Sequence, residues 1–244
     1  MLKKLIPVLV LTLTACTPSI NGLVHDKSFT KQSMTNGGIV VAGVTGSAKV
    51  IDPKSRNVYA AVLAEELRDE LKGVQIMPVN DIINAMSAQQ HNAILDEFSK
   101  NDTLSAASMN KLKAGTRAQY AALARVNNNS VTNNRSNQLA TTDARGNIIK
   151  PAQTISTSRR DVAVSLYIFD LGSGKRVWGG NIGLGRERNK TYTHENAALN
   201  IIRGVSALAS GNLDAAYPYP APPGEKDLLA SIFNGFGDNL ADMK

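Results

Sequence analysis

The chain of 244 residues is poor in the residue types that most often build metal centres and active sites. It has one cysteine, three histidines and one tryptophan, and aromatic residues make up 5% of it. A single thiol cannot form a disulfide within the chain, and His25, His91 and His194 lie far apart in sequence. His194-Glu195 begins like the zinc pattern HExxH, but Ala198 occupies the second histidine position. We therefore expect neither a metal nor a cofactor.

Catalytic motifs are equally scarce. The glycine-containing stretches 43–49 (GVTGSAK) and 172–175 (GSGK) lack the spacing of a phosphate-binding loop, so both indicate turns. Ser108 and Lys111 form an SxxK pair, a pattern found in enzymes that act on peptidoglycan. So short a pattern arises often by chance, and the companion KTG pattern is missing. We expect a protein that is not an enzyme, and a peptidoglycan-directed enzyme ranks last among the alternatives.

Long apolar runs are also missing. The apolar run at the start covers residues 5–13, well short of the ~20 residues that a helix needs to cross a bilayer. It follows two lysines and leads into residues 13–16 (LTAC), an order typical of an export signal. The junction resembles the lipobox of bacterial lipoproteins, in which the cysteine becomes the first mature residue and carries the lipid, palmitate included. We predict a signal peptide over 1–15 and lipidation at Cys16; the alternative is an ordinary cleaved signal beside a chance cysteine.

The lipoprotein resemblance also implies a location. Thr17 follows the cysteine, whereas aspartate at that position commonly marks lipoproteins retained in the inner membrane. The resemblance therefore implies the outer membrane and a domain that faces the periplasm. The formal net charge is +7, or +5 without the two lysines of the signal. An exported lipoprotein rarely meets nucleic acid, so we expect no nucleic-acid partner; the charge favours anionic envelope surfaces or solubility.

The rest of the chain predicts a mixed sheet with helices, of the α/β (α+β) class and the three-layer type. Residues 16–36 are polar and rich in turn formers, which predicts a flexible tether. The domain then shows the order β-α-β-α-α-β-β-β-α. The predicted elements are strands at 39–44, 74–79 and 118–126, helices at 57–72, 91–99 and 105–114, a short helix capped by Asp81, a hairpin of strands at 161–170 and 177–185, and a last helix from Thr193 to Gly211.

The C-terminal region is predicted to be a linker and a helix. Residues 217–223 (YPYPAPP) indicate a stiff linker, and residues 224–244 form an amphipathic pattern. Glycines within that pattern weaken an isolated helix, so it needs a surface to form on. Docking on its own domain is favoured over binding a partner or a membrane. If the region binds a partner, the candidate contacts are Phe233, Phe236, Tyr217 and Tyr219.

Three stretches together resemble a known group of proteins. They are IVVAGV at 39–44, AQYAALARV at 118–126 and VAVSLYIFDLGSGKRVWGGNIG at 162–183. Behind a lipobox they are similar to CsgG-type curli-secretion channel proteins, LpoB-type activators of peptidoglycan synthases and the N-terminal domain of TolB. The resemblance covers residues 37–212 and implies a periplasmic domain over that range.

The resemblance leaves two functions open, and one segment bears on the choice. Channel members insert long hairpins into the outer membrane, and one such hairpin would correspond to residues 127–158. Neither alternate set of side chains there is apolar, so the segment cannot face lipid and instead predicts a mobile polar excursion. The resemblance then implies a non-enzymatic, LpoB-like binding module whose partners are envelope proteins, such as a peptidoglycan synthase or secretion and appendage components. The alternative is a homo-oligomeric subunit of a CsgG-like secretion channel or envelope ring.

Overall fold

The computed structural model describes residues 19–193 and 213–243. Cys16 and the predicted helix from Thr193 to Gly211 lie outside the described residues, apart from Thr193 itself. The strands are β1 (Asn21–His25), β2 (Ile39–Gly46), β3 (Ile76–Met77), β4 (Tyr120–Gln138), β5 (Thr141–Thr142), β6 (Ile148–Lys150), β7 (Gln153–Asp170) and β8 (Lys175–Thr193). The helices are α1 (Lys31–Gly37), α2 (Arg56–Glu70), α3 (Val79–Ala85), α4 (Ala88–Asn101), α5 (Ala106–Gly115), α6 (Leu213–Ala216) and α7 (Glu225–Ala241).

Six strands form one mixed sheet in the order β1-β8-β7-β4-β2-β3. β2 is parallel to both β3 and β4, whereas β4, β7, β8 and β1 pair antiparallel. β5 and β6 form a separate two-stranded ribbon. The predicted α/β class with a mixed sheet is confirmed.

Helices cover both faces of the sheet. Along β2, Val41 faces the core under α2 and α7, whereas Val40 faces a second core under α3, α4 and α5. Both residues are fully buried, which explains why the strand reads as a continuous apolar run rather than an alternating one. The predicted three-layer arrangement, with helices on both faces of the sheet, is therefore confirmed.

The helices predicted at 57–72, 91–99 and 105–114 are present as α2, α4 and α5. The predicted strand at 74–79 is reduced to Ile76–Met77, and Asp81 lies inside the first turn of α3 rather than capping it. Pro78 occupies the N-cap position with an extended backbone. Proline cannot donate to a strand ladder, so it ends β3 and allows the helix to begin at once.

The prediction of a flexible tether over 16–36 does not fit the structure beyond residue 20. β1 joins the sheet from Asn21, and α1 begins with a capping box between Thr30 and Ser33. Phe29 and Met34 are fully buried in the core beneath α2. These two apolar side chains anchor a stretch whose overall composition is polar, and composition alone therefore misled the prediction.

Residues 127–158, which the sequence predicted to be a mobile polar excursion, form mostly regular β structure. β4 continues to Gln138, β7 begins at Gln153, and both pair residue by residue with each other; β7 also pairs with β8 as far as Thr193. Backbone pairing satisfies the N–H and C=O groups whatever the side chains, so a polar sequence can form long strands. We call residues 127–138, 153–161 and 182–193 the β-extension, and residues 139–152, which join β4 to β7, its tip.

The C-terminal helix α7 docks on its own domain. Its apolar side chains lie in the same core as α2, and the Phe236 ring meets the Trp178 ring edge-on, with centroids 6.0 Å apart. Among the described residues, no helix is both long and apolar enough to cross a membrane. The fully buried apolar residues of α7 are Leu228, Leu229, Ile232, Phe233, Phe236 and Leu240.

Candidate binding surface

The β-extension has two faces of different character. Side chains alternate along each strand, so every second residue shares a face. One face continues the side of the sheet that α7 covers, and the C-terminal chain lies across it. We call this the strap face and residues 217–223 the strap. We call the other, uncovered side the open face; its side chains include Thr132, Asn134, Ser136, Thr157, Arg159, Asn189 and Thr191.

Hydroxyl groups hold the strap to the sheet. Ser156 Oγ donates to the Tyr217 carbonyl at 3.0 Å, and Ser158 Oγ donates to the Pro220 carbonyl at 2.7 Å. The Tyr192 hydroxyl donates to the Pro218 carbonyl at 2.6 Å. A proline-rich segment has few N–H groups, so its carbonyls need donors from elsewhere. Residues 217–223, for which the sequence predicted a stiff linker, are thus a segment packed on the sheet.

Arg135 fixes the start of the strap. Its Nη2 donates to Asp214 at 2.9 Å and to the Tyr217 carbonyl at 2.8 Å. The guanidinium lies over the Tyr219 ring, 4.7 Å from its centroid, in cation–π geometry. Tyr217 and Tyr219, named from the sequence as candidate partner contacts, are half-buried, and both rings lie against the Arg135 guanidinium.

The two phenylalanines named as partner contacts occupy the core. Phe233 and Phe236 are fully buried between α7 and the sheet. A partner could reach them only if α7 left the domain and exposed its whole apolar face to water. The structure therefore corrects their predicted role: they hold α7 in place.

The open face carries one charged cluster among neutral polar groups. Arg159 pairs with Asp161 on its own strand at 2.7 Å and with Glu187 on β8 at 3.0 Å. The hydrogen bonds to these carboxylates raise the pKa of Arg159. Gly185 lies directly opposite Asp161, and a Cβ atom there would collide with both Asp161 and Arg159. Glycine at this position therefore makes room for the ion pair.

Both edges of the β-extension lack a strand partner within the described residues. β2 pairs with β4 only up to Val126, and β1 pairs with β8 between Trp178 and Asn181. Beyond these points no strand of residues 19–193 or 213–243 lies beside the outer backbone groups of β4 and β8. Unpaired strand edges are sites at which another chain can add a strand.

The catalytic candidates from the sequence have structural partners. Ser105 caps α5, and the Ser108 hydroxyl donates to the Glu97 carboxylate; Lys111 is not its partner. Burial acts to raise the pKa of Glu97, but hydrogen bonds from Ser108 and Ser105 outweigh it and hold the pKa below its ordinary value. This arrangement fixes the start of a helix. The lowered pKa makes the Glu97 carboxylate a weaker base towards the Ser108 hydroxyl than an ordinary glutamate.

The described histidines also serve the fold. His91 is buried and its Nε2 lies 2.7 Å from the Ala42 carbonyl, while His25 Nε2 lies 2.7 Å from the Phe29 carbonyl. Within residues 19–193 and 213–243 no group of three or more metal-binding side chains comes together. His194 lies outside the described residues.

The sequence reasoning missed the donors that hold the strap. Ser156 and Ser158 donate to strap carbonyls, and together with Thr154, which donates to Asn137, they alternate along β7 and are buried. Their period of two in the stretch QTISTSRR, just ahead of a clearly apolar strand, was the available signal. It was overlooked because hydroxyl side chains are more often exposed.

Comparison with known proteins gives structural resemblance only. No protein-family model matches the chain, and no curated protein matches it significantly. Similar solved structures include the PelC dodecamer from Paraburkholderia phytofirmans, at 12% identity, with 93% of this chain and 99% of that chain covered and a TM-score of 0.37. They also include the lipoprotein GNA1162 from Neisseria meningitidis, at 14% identity, with 72% of this chain and 99% of that chain covered and a TM-score of 0.30. The LpoB C-terminal domain from Salmonella enterica is similar at 11% identity, with 64% of this chain and 95% of that chain covered and a TM-score of 0.31. At identities of 14% or less and TM-scores below 0.4, these resemblances say nothing about the function of this chain.

Proposed function

We propose that this chain is a lipid-anchored, non-enzymatic binding module that faces the periplasm from the outer membrane. It contacts another envelope protein through the β-extension. The observation that carries the proposal is the open face, a three-stranded polar surface that projects beyond the body and has no cover among the described residues. The lipobox ending at Cys16 supports the location.

The chemistry of the open face fits binding better than catalysis. Along each strand its side chains stand ~6.6 Å apart, because every second residue shares a face. They are mainly hydroxyl and amide groups, which offer hydrogen bonds to a polar partner without exposing a large apolar patch. The lipobox resemblance and the LpoB-like sequence pattern favour a peptidoglycan synthase or a secretion component as that partner.

Site-specific photocrosslinking tests the surface. A benzophenone amino acid is placed at Thr132 or Thr191 on the open face, or at Val58, an exposed residue of α2, as the matched control. We expect one envelope protein to be crosslinked from Thr132 and Thr191 in intact cells and not from Val58. Crosslinking from Val58 alone, or from no position, would contradict the proposed surface.

A second candidate function is a subunit of an envelope ring or secretion channel. The observation that favours it is the pair of open edges on β4 and β8. Both strands run antiparallel to β7, so they run in the same direction. The β8 edge of one copy can then meet the β4 edge of the next head to tail, an arrangement that forms a ring when the rotation between copies closes.

The molar mass of the acylated protein separates the two candidates. The protein is extracted in mild detergent and measured by light scattering during gel filtration. A monomer or dimer supports the binding module, whereas a closed assembly of many copies supports the ring.

A further inference from the structure

The positive charge of the chain is concentrated in one part of the structure. Residues 127–161 and 182–193 comprise the β-extension and its tip, and they hold eight Lys or Arg residues against three Asp or Glu residues, a net charge of +5. The chain from Cys16 onward has the same formal net charge, since only two lysines and no acid precede it. The rest of the mature chain is therefore neutral overall.

Part of this charge forms a row on the outer strand. Arg186, Arg188 and Lys190 are exposed and share one face of β8, so they stand ~6.6 Å apart. None of the three has an ion-pair partner among the described residues, although Asp227 lines the same cleft as Arg186 and Arg188. Arg186 Nη2 donates to Ser231 Oγ at 2.9 Å, a neutral partner. The positive charge of the row is therefore not cancelled by contacting carboxylates.

The tip combines positive charge with exposed apolar side chains. Leu139, Ile148 and Ile149 are 87%, 66% and 68% exposed, and they are the most exposed large apolar residues described. Arg145 and Lys150 lie in the same loop and have no ion-pair partner among the residues described. Apolar side chains beside basic ones are the combination that peripheral proteins place at the headgroup boundary of a membrane.

The N-terminal chain holds this region close to the lipid anchor. β1 runs antiparallel to β8, with Asn21 opposite Asn181, so the chain that precedes Asn21 reaches the sheet from the side of the β-extension. Only five residues lead from Cys16 to Asn21, and they span at most ~17 Å. β8 continues for ~40 Å from Asn181 to Thr193. The polar β-extension cannot point into the membrane that holds the lipid, because ~20 Å of it would enter hydrocarbon.

We propose that the outer edge of β8 lies on the surface of that membrane. Arg186, Arg188 and Lys190 contact the phosphates of anionic phospholipid headgroups, and the tip places Ile148 and Ile149 at the interface. Basic residues near an anionic surface are attracted to it, and the short connection to Cys16 keeps them within reach. The proposal rests on the proposed lipidation of Cys16.

A fluorescent label reports the contact in the acylated full-length protein. Because the lipid blocks Cys16, an engineered cysteine is the only reactive thiol. An environment-sensitive dye is attached at Thr191→Cys, at Ile149→Cys, or at Val58→Cys on α2 as a control. The protein is reconstituted into phosphatidylcholine vesicles with or without one third phosphatidylglycerol, and quenching by lipids spin-labelled at the headgroup is measured.

We expect quenching at Thr191 and Ile149 in the anionic vesicles and none at Val58. The triple variant R186Q/R188Q/K190Q should lower the quenching at Thr191 at least several-fold. A matched triple variant of exposed lysines on the body, K31Q/K49Q/K54Q, should leave it unchanged.

Three results would overturn the proposal. An unquenched Thr191 label in anionic vesicles would mean that the β-extension points away from the membrane. Quenching that persists without phosphatidylglycerol or without the three charges would exclude headgroup recognition. A label that is already shielded in detergent would mean that a second copy or another protein covers the edge.

Flotation of the vesicles gives a separate readout of the anchor. If the wild-type protein does not float with the vesicles, the lipidation is wrong and the proposal falls with it. If the protein floats but the label is unquenched, only the orientation is wrong.

Discussion

At the residue scale, Arg135 joins two parts of the chain that are far apart in sequence. Its side chain is 15% exposed and contacts Asp214, the Tyr217 carbonyl and the Tyr219 ring. We expect Arg135→Ala to lower the free energy of unfolding by about 2 kcal/mol, because the Asp214 carboxylate, the Tyr217 carbonyl and the Tyr219 ring lose the guanidinium that they contact. Arg135→Lys should recover only part of this, since an ammonium lacks the planar fork.

Urea denaturation measures this loss. The control is Arg145→Ala, which removes an arginine with no ion-pair partner among the described residues and should change the free energy of unfolding by less than about 0.5 kcal/mol. Equal effects of the two alanine variants would show that the strap contacts of Arg135 contribute nothing to stability.

A second residue, Glu70, makes the stability of the fold depend on pH. Burial and then the neighbouring carboxyl of Asp238 raise the pKa of Glu70 above its ordinary value of 4.5, partly offset by the hydrogen bond that Asn234 donates at 2.7 Å. A raised acid pKa means that the folded protein favours the protonated form. This contribution to stability is fully present below the ordinary pKa and is lost as the pH rises through the raised value.

Glu70→Gln removes this titration. We expect the variant to have a higher thermal midpoint than the wild type at pH 7.5, and the difference to disappear as the pH falls below 4.5. Glu65→Gln, at an exposed position on the same helix, should show a smaller pH-dependent difference, because Glu65 contributes less than burial and Asp69 to the raised pKa of Glu66. A constant difference at all pH values would mean that packing rather than charge explains the effect.

At the scale of single elements, α7 is part of the core rather than a separate module. Phe236 is 0% exposed and contacts Trp178, the only tryptophan of the chain. We expect Phe236→Ala to cost about 3–5 kcal/mol and Phe236→Leu distinctly less, because alanine leaves a larger cavity. Trp178 emission during urea denaturation reports the loss directly. If α7 were held only by a partner, Phe236→Ala would leave the unfolding of the isolated domain unchanged.

The elements also separate what sequence patterns can predict from what they cannot. α2 and α7 were predictable because each has an apolar stripe at helical spacing, and β2 because its run is apolar on both faces. The β-extension was not predictable in this way, since both of its faces are polar and its order comes from backbone pairing with strands distant in sequence. β1 was missed for the same reason: all five of its residues are exposed, and only pairing with β8 makes it a strand.

The candidate surface needed tertiary information as well. The sequence indicated Cys16 and an amphipathic C-terminal helix that more readily docks on its own domain, and it named Phe233 and Phe236 as contacts only for the case in which the helix binds a partner. An amphipathic helix shows only that one face is buried, and it does not identify the surface that buries it. The position of the strap was likewise not visible in the sequence, because the donors to its carbonyls lie on β7 and β8, which are distant in sequence.

At the scale of the whole molecule, the short connection from Cys16 to β1 bears on where the proposed module would act. If Cys16 carries the proposed lipid, the domain is held within ~17 Å of it, and a partner must then lie near the membrane surface. Lengthening this connection therefore tests the distance at which the partner lies. We expect 20 Gly/Ser residues inserted between Thr17 and Pro18 to leave the thermal midpoint unchanged, because the insertion lies ahead of β1, the first described strand.

The same insertion should reduce crosslinking from Thr132 and Thr191 by ~10-fold. The effective concentration of a tethered domain falls as about the −3/2 power of tether length, and the connection grows from five to 25 residues. Yields are compared in intact cells against the uninserted protein, with equal membrane amounts confirmed by flotation. An unchanged or higher crosslinking yield would mean that the partner lies farther from the membrane than the insertion-free connection comfortably reaches. The module would then act across the distance between the membrane and that partner, which its natural connection only just spans.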